Sequence, residues 1–183
     1  MDLNIVNVND IGPGVLWVAI VFAGTLGLNR SFMMEKEQGC LQGIMLTPAD
    51  RTVVYFGKLA SNLLFLSVME VFILPVFMIF FNVDLLNHLP SLLFIIVLGS
   101  VGFCVLGTLL SSLAVNLKTR EIMLPILLYP LIVPVVIGSV KMTTRLMAGD
   151  SLVDLTNWIG LILCFDMIYI GVSIITIDHI LEE

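Results

Sequence analysis

The chain reads as an all-α, polytopic bundle of membrane-spanning helices, and three observations lead there. Of its 183 residues, 59% are hydrophobic and 12% are charged, about half the roughly 25% charged share of an ordinary soluble domain. With a mean hydropathy of +1.11, the chain has too few polar side chains to cover a water-facing surface, which disfavours a soluble globular enzyme. Five apolar runs come within range of the roughly 20 residues that a helix needs to cross a hydrocarbon core. No ten-residue alternating pattern recurs, which argues against a membrane β-barrel.

The first run, Ile11–Leu28, has 18 residues, and the second, Leu59–Phe81, has 23. The third, Leu89–Val115, has 27, more than a bilayer requires, which implies tilt or a protruding end. Ile122–Val140 and Trp158–Ile177 supply 19 and 20 residues. Basic residues orient the set. Arg30, Lys36, Arg51 and Lys58 in segment 29–58, with Lys118 and Arg120 in 116–121, make six on one side. Lys141 and Arg145 make two on the other, and both chain ends have none. The positive-inside rule then places 29–58, 116–121 and the C-terminus in the cytosol, and the N-terminus outside. Met1–Asp10 carry Asp2 and Asp10 but no base, so they are not the n-region of a signal peptide. The Asn29-Arg30-Ser31 sequon falls on the cytosolic side and reads as a chance match.

Segment 29–57 is the most informative stretch. On a helical wheel Met34, Leu41, Ile44 and Met45 fall on one side, and Glu35, Lys36, Gly39, Gln42 and Gly43 on the other. That pattern predicts an amphipathic helix ending near Leu46, able to lie on a membrane surface or in a partner's groove. Gly39 and Gly43 each weaken an isolated helix by ~1 kcal/mol, a cost that close approach of another backbone would explain. Thr47, Pro48 and Asp50 then form a helix start, with Thr47 as N-cap and Pro48 in the first turn. A second helix should rise from there into the second span, with Tyr55 and Lys58 at the interface. The segment is either a passive connector or the docking element for a cytosolic partner.

Within the spans, Glu70 and Asp166 lie near mid-membrane. A charge at the centre of a helix costs ~2.5–3.5 kcal/mol on insertion scales, so such residues face the bundle interior, find a partner or stay protonated. No Lys, Arg or His sits at matching depth. The pair therefore reads either as a polar lining that accepts protons or as neutral carboxyls bonded to a helix, for instance through Ser67 or Ser173. Pro125, Pro130 and Pro134 each remove a backbone donor and bend the fourth span, as a flexing gate or a static kink. Carbonyls freed around Glu121–Pro130 need partners from neighbouring helices. Gly99, Gly102, Gly107 and Ser111 form a small-residue strip that suits packing within the chain better than a homodimer seam, which stays open. Trp17 and Trp158 sit near exterior span ends, where aromatic belts lie.

Several classes are left without support. A net charge of -6 with eight basic residues offers no electrostatic footprint for nucleic acid. Cys40, Cys104 and Cys164 are scattered and odd in number, so neither a disulfide framework nor a metal site is expected. No phosphate-binding G-x-x-x-x-G-K-[ST] run, H-E-x-x-H or G-x-S-x-G is present. Ser100 has no histidine at its depth to activate it. No catalytic residues are expected, and any energy must come from a partner.

The run Glu35 to Pro48, E-K-E-Q-G-C-L-Q-G-I-M-L-T-P, resembles the acidic-Gly-Leu-Leu-x-x-Pro segment of type-2 ABC exporter permeases. Leu16-Trp17-Val18, Gly57-Lys58 and the three-proline run Leu124 to Pro134 narrow the resemblance to the heme exporter protein B family, with Cys40 where that family usually has Thr. The resemblance covers nearly the whole chain. It implies the permease subunit of an ABC exporter in cytochrome c maturation, in a bacterial inner membrane. A separate ATPase would dock on Glu35, Glu37, Gly39, Leu41, Ile44, Met45 and Pro48, beside other membrane subunits that handle heme. Heme is then an expected substrate rather than a bound cofactor, with His88 in the exterior loop a weak candidate for an axial ligand. The family has six spans with both termini cytosolic, so the expectation is that an amphipathic stretch and one span precede Met1 in a longer frame. Two other functions stay open: a permease of the same fold for a lipid-linked glycan or drug, and an intramembrane enzyme using Glu70 and Asp166 as a carboxylate pair.

Overall fold

In the computed structural model, residues 8–37, 51–81, 89–114 and 120–180 are described, and among them the chain is almost entirely helical. Helix α1 runs Val8–Glu37, α2 Arg51–Phe81, α3 Leu89–Ala114 and α4 Arg120–Met147. A short 3-10 turn, Leu152–Leu155, leads into α5, Thr156–Ile180. Five of these helices are long and apolar enough to cross a membrane, matching the five runs expected.

The helices are longer than the runs that announce them. At 1.5 Å per residue, the 30 residues of α1 extend about 45 Å, well beyond a hydrocarbon core of about 30 Å. So α1 does not break at Asn29. It carries Arg30, Glu35, Lys36 and Glu37 on its last turns, and the start of the expected amphipathic helix is continuous with the first span. Helix α4 likewise runs through Lys141 and Arg145, which the hydropathy pattern assigned to a loop. Both side chains are exposed, so they end the helix without entering the core. The helix stops in a Schellman turn. Gly149 takes φ +97, its N–H donates to Leu146 O, and the N–H of Asp150 donates to Arg145 O. A left-handed residue at that position is tolerated because glycine lacks a Cβ.

Helix α3 is the axle of the bundle. Its spanning window is 78% buried, and it packs against all four other helices. Its small residues explain the close packing. The position that a Gly107 side chain would take is filled by Leu28, and that of Gly99 by the Trp17 ring. The small-residue strip is thus used inside the chain, as its spacing suggested. Around this axle the outward faces of α1, α2, α4 and α5 carry exposed apolar side chains such as Phe22, Phe72, Ile126 and Ile175, the composition a lipid-facing surface requires.

Two aromatics expected near the ends of spans point into the bundle rather than outward. Trp17 was placed in an aromatic belt, but it is 2% exposed, and its Nε1 donates to Thr143 Oγ1 at 3.1 Å. Tyr55 was placed at an interface, but it is 4% exposed, and its hydroxyl donates to Val105 O at 3.0 Å. Both aromatics have polar tips that the bundle satisfies internally.

Candidate functional site: polar groups buried against the third helix

Helix α2 presents Tyr55, Asn62 and Glu70 at intervals of seven and eight residues, which puts them on one helical face. All three meet α3. Tyr55 reaches the Val105 carbonyl, Asn62 Nδ2 donates to Thr108 Oγ1 at 2.9 Å, and Ser100 Oγ donates to Glu70 Oε1. Interhelical bonds of this kind contribute ~0.6 kcal/mol each on average in membranes, so their larger effect is to fix how α2 is rotated against α3. The expected partners of the buried carboxyls were wrong. Ser67 Oγ donates to Leu63 O and Ser173 Oγ to Tyr169 O, each bonding back to its own helix four residues earlier. Ser100, noted in the sequence only as an unactivated hydroxyl, is the true partner of Glu70.

Asp166 on α5 is 4% exposed, and its Oδ1 has no hydrogen-bond partner. It fills the space that a side chain at Gly102 would take. Ser100 and Gly102 lie two residues apart on α3, about 200° around its axis. Glu70 and Asp166 therefore approach α3 from opposite faces and do not form the carboxylate pair that an intramembrane hydrolase would need. Among the described residues no group of three His, Cys, Asp or Glu side chains could hold a metal ion.

Pro125, Pro130 and Pro134 all lie inside the continuous helix α4. Tyr169 of α5 donates its hydroxyl to Leu131 O at 2.7 Å. That carbonyl is one residue beyond the Pro130 carbonyl, which loses its helical donor to Pro134. Leu131 O keeps Val135 N–H as its own helical donor, so this bond ties α5 to the proline segment without satisfying a carbonyl that the prolines free. Two apolar grooves flank α1. One, of about 500 Å³, lies against α2 and includes Ala19, Phe72 and Phe80. The other, of about 390 Å³, lies against α4 and includes Phe22, Tyr129 and Val133. Neither has the convergent polar groups of a small-molecule site.

Of the proposed coupling residues, Glu35 and Glu37 lie in the last turn of α1. Gly39, Leu41, Ile44, Met45 and Pro48 lie outside the described residues, as does His88. The polar residues that sequence reasoning missed are Asn62, Thr108, Ser139 and Thr143, all buried. Their signal was a polar side chain inside an apolar run, at helical spacing from Glu70 or from one another.

The chain matches the CcmB protein family over residues 4–182. It is 29% identical over 127 residues to the heme exporter protein B of Pseudomonas aeruginosa, covering 69% of this chain and 56% of that one. It is 29% identical over 140 residues to the heme exporter protein B of Rhodobacter capsulatus, covering 74% and 62%. Against the Paracoccus denitrificans protein of the same name it is 28% identical over 144 residues, covering 76% and 63%. The matched stretches span less than two thirds of these relatives' length. No solved structure matches the chain.

Proposed function

The chain belongs to the CcmB protein family, and on that premise we propose that it is the permease subunit of an ABC exporter acting in cytochrome c maturation, in the delivery of heme to the outer face of a bacterial inner membrane. The observation that carries this reading is the family match across residues 4–182 on a chain with five helices fit to span a bilayer. A separate ATPase subunit supplies the energy, a reading supported by the lack of a phosphate-binding loop within these 183 residues. That subunit docks on the segment from Glu35 to Pro48. Helix α1, at about 45 Å, is longer than the hydrocarbon core is thick and has Glu35 and Glu37 in its last turn, which supports a lever joining the docked ATPase to the first span. Segment 29–58 and the C-terminus face the cytosol, following the six-to-two distribution of basic residues.

The test is genetic. Deleting the gene should abolish covalent heme attachment to c-type cytochromes, read by heme staining of membrane and periplasmic proteins, and the full-length gene should restore it. Unchanged heme staining in the deletion would overturn the proposal. The carboxylate-pair enzyme has no support from the separate contacts of Glu70 and Asp166, and nothing observed favours a glycan or drug as cargo.

A further inference from the structure

Two unpartnered polar atoms lie on one face of α3. Asp166 Oδ1 occupies the space above Gly102, and Ser139 Oγ stands 2.7 Å from the position that a Gly99 Cβ would take. Neither atom has a hydrogen-bond partner, and Ser139 is completely buried. Gly99 and Gly102 are neighbours three apart on a helix, with Cβ positions about 5–6 Å from each other. The carboxyl and the hydroxyl are therefore set about one helical turn apart in the seam between α3, α4 and α5. Val135, four residues before Ser139 on α4, closes the seam 3.4 Å from the Gly102 Cβ position.

The elements packed on α5 bring no countercharge to this seam among the described residues. Helix α3 offers Cys104, on the face that meets Glu70. Helix α4 offers Tyr129, Lys141 and Arg145, all exposed. Helix α2 offers Tyr55, committed to Val105 O, Glu70, engaged by Ser100, and Lys58, about three turns before Glu70. The 3-10 turn offers Asp154, which is exposed. On α5 itself Cys164 is exposed, and Tyr169 donates to Leu131 O. A carboxylate without a countercharge or a hydrogen bond is the costliest state for such a group in a bilayer interior, and taking up a proton relieves it.

We propose that Asp166, with Ser139 beside it, is a proton-binding site inside the bundle, separate from Glu70. The proton sits on the Asp166 carboxyl and is donated in a hydrogen bond to a water that bridges to Ser139 Oγ. It leaves when helix movement admits water to the seam. This does not depend on what the protein transports.

The test is infrared spectroscopy of the full-length protein in lipid nanodiscs, following the C=O stretch of protonated carboxyl groups. The Glu70→Gln variant removes the other intramembrane carboxyl. In that background a protonated-carboxyl band should persist at neutral pH, disappear reversibly on alkaline titration, and shift in frequency when Ser139→Ala is added. Asp166→Asn should remove it. If that last variant does not fold, the Ser139→Ala shift makes the assignment. The absence of any such band at neutral pH in the Glu70→Gln protein would overturn the proposal, as would a band that Ser139→Ala leaves unmoved.

Discussion

Trp17 links α1 to α4 across the axle helix, and the geometry says how much each part of that link contributes. The ring is 2% exposed and fills the notch left by Gly99, while Nε1 donates to Thr143 Oγ1 at 3.1 Å. Trp17→Phe keeps a ring in the notch and removes the donor. Thr143 Oγ1 still donates to Ser139 O at 2.8 Å, so no donor is stranded. The loss should therefore sit near the ~0.6 kcal/mol average for bonds between membrane helices, below their ~1.7 kcal/mol maximum. Trp17→Ala also empties the notch, and by the measure of large-to-small changes in well-packed cores it should cost ~3–5 kcal/mol. Gly99→Ala places a methyl where the ring lies, so it is destabilising alone. In a Trp17→Ala background the ring no longer opposes that methyl, and only Ser139 Oγ, 2.7 Å from its position, has to shift. The double variant should be more stable than the sum of the single losses by ~0.5–3 kcal/mol, the range for residues in contact. The assay is SDS-driven unfolding from mixed micelles, followed by circular dichroism, for the wild type, both single variants and the double variant. Additive losses would refute the packing argument. A Trp17→Ala cost below ~1 kcal/mol would place the ring against lipid, as the sequence pattern first suggested.

Three further outcomes are expected. Ser100→Ala leaves the Glu70 carboxyl without its donor and should cost ~1–3 kcal/mol in the same unfolding assay, whereas Glu70→Gln keeps an acceptor for Ser100 and should cost less. A topology reporter fused after Thr119 should read as cytosolic and one at Gly149 as exterior, and the opposite pattern would reverse the orientation drawn from basic residues. Glu35→Lys should weaken ATPase retention in a salt-dependent manner, whereas Gly39→Leu should weaken it at any salt while leaving protein abundance near the wild-type level.

The spans were legible because hydropathy and length report depth in a membrane directly. The five runs reappear as α1 to α5, and the strip from Gly99 to Gly107 packs within the chain as its spacing indicated. Rotation about each helix axis was not legible. Trp17 lies six residues into an apolar run, toward the end where belt tryptophans lie, and the notch at Gly99 turns it inward. Glu70 carried a clear signal of burial, but its partner on another helix depends on how α2 and α3 meet, which no local spacing contains. Ser67 and Ser173 were proposed as partners because they are near in sequence, yet a helical serine can satisfy itself on the carbonyl four residues back. The ends of α1 and α4 were underestimated because charged residues lower hydropathy without lowering helix propensity. Lys, Arg and Glu are good helix formers, so a helix continues past the point where the membrane stops.

Under the proposed function, a separate ATPase drives this chain through the segment after its first span. The most direct measurement is affinity purification of the full-length protein from its native membranes in mild detergent, with mass spectrometry of what accompanies it, for the wild type and Gly39→Leu. A phosphate-binding-loop ATPase should accompany the wild type at near-stoichiometric amounts, and be at least tenfold less abundant with Gly39→Leu at equal yield of the permease. Purification of the intact wild-type protein with no such ATPase, from cells that mature their c-type cytochromes, would contradict it.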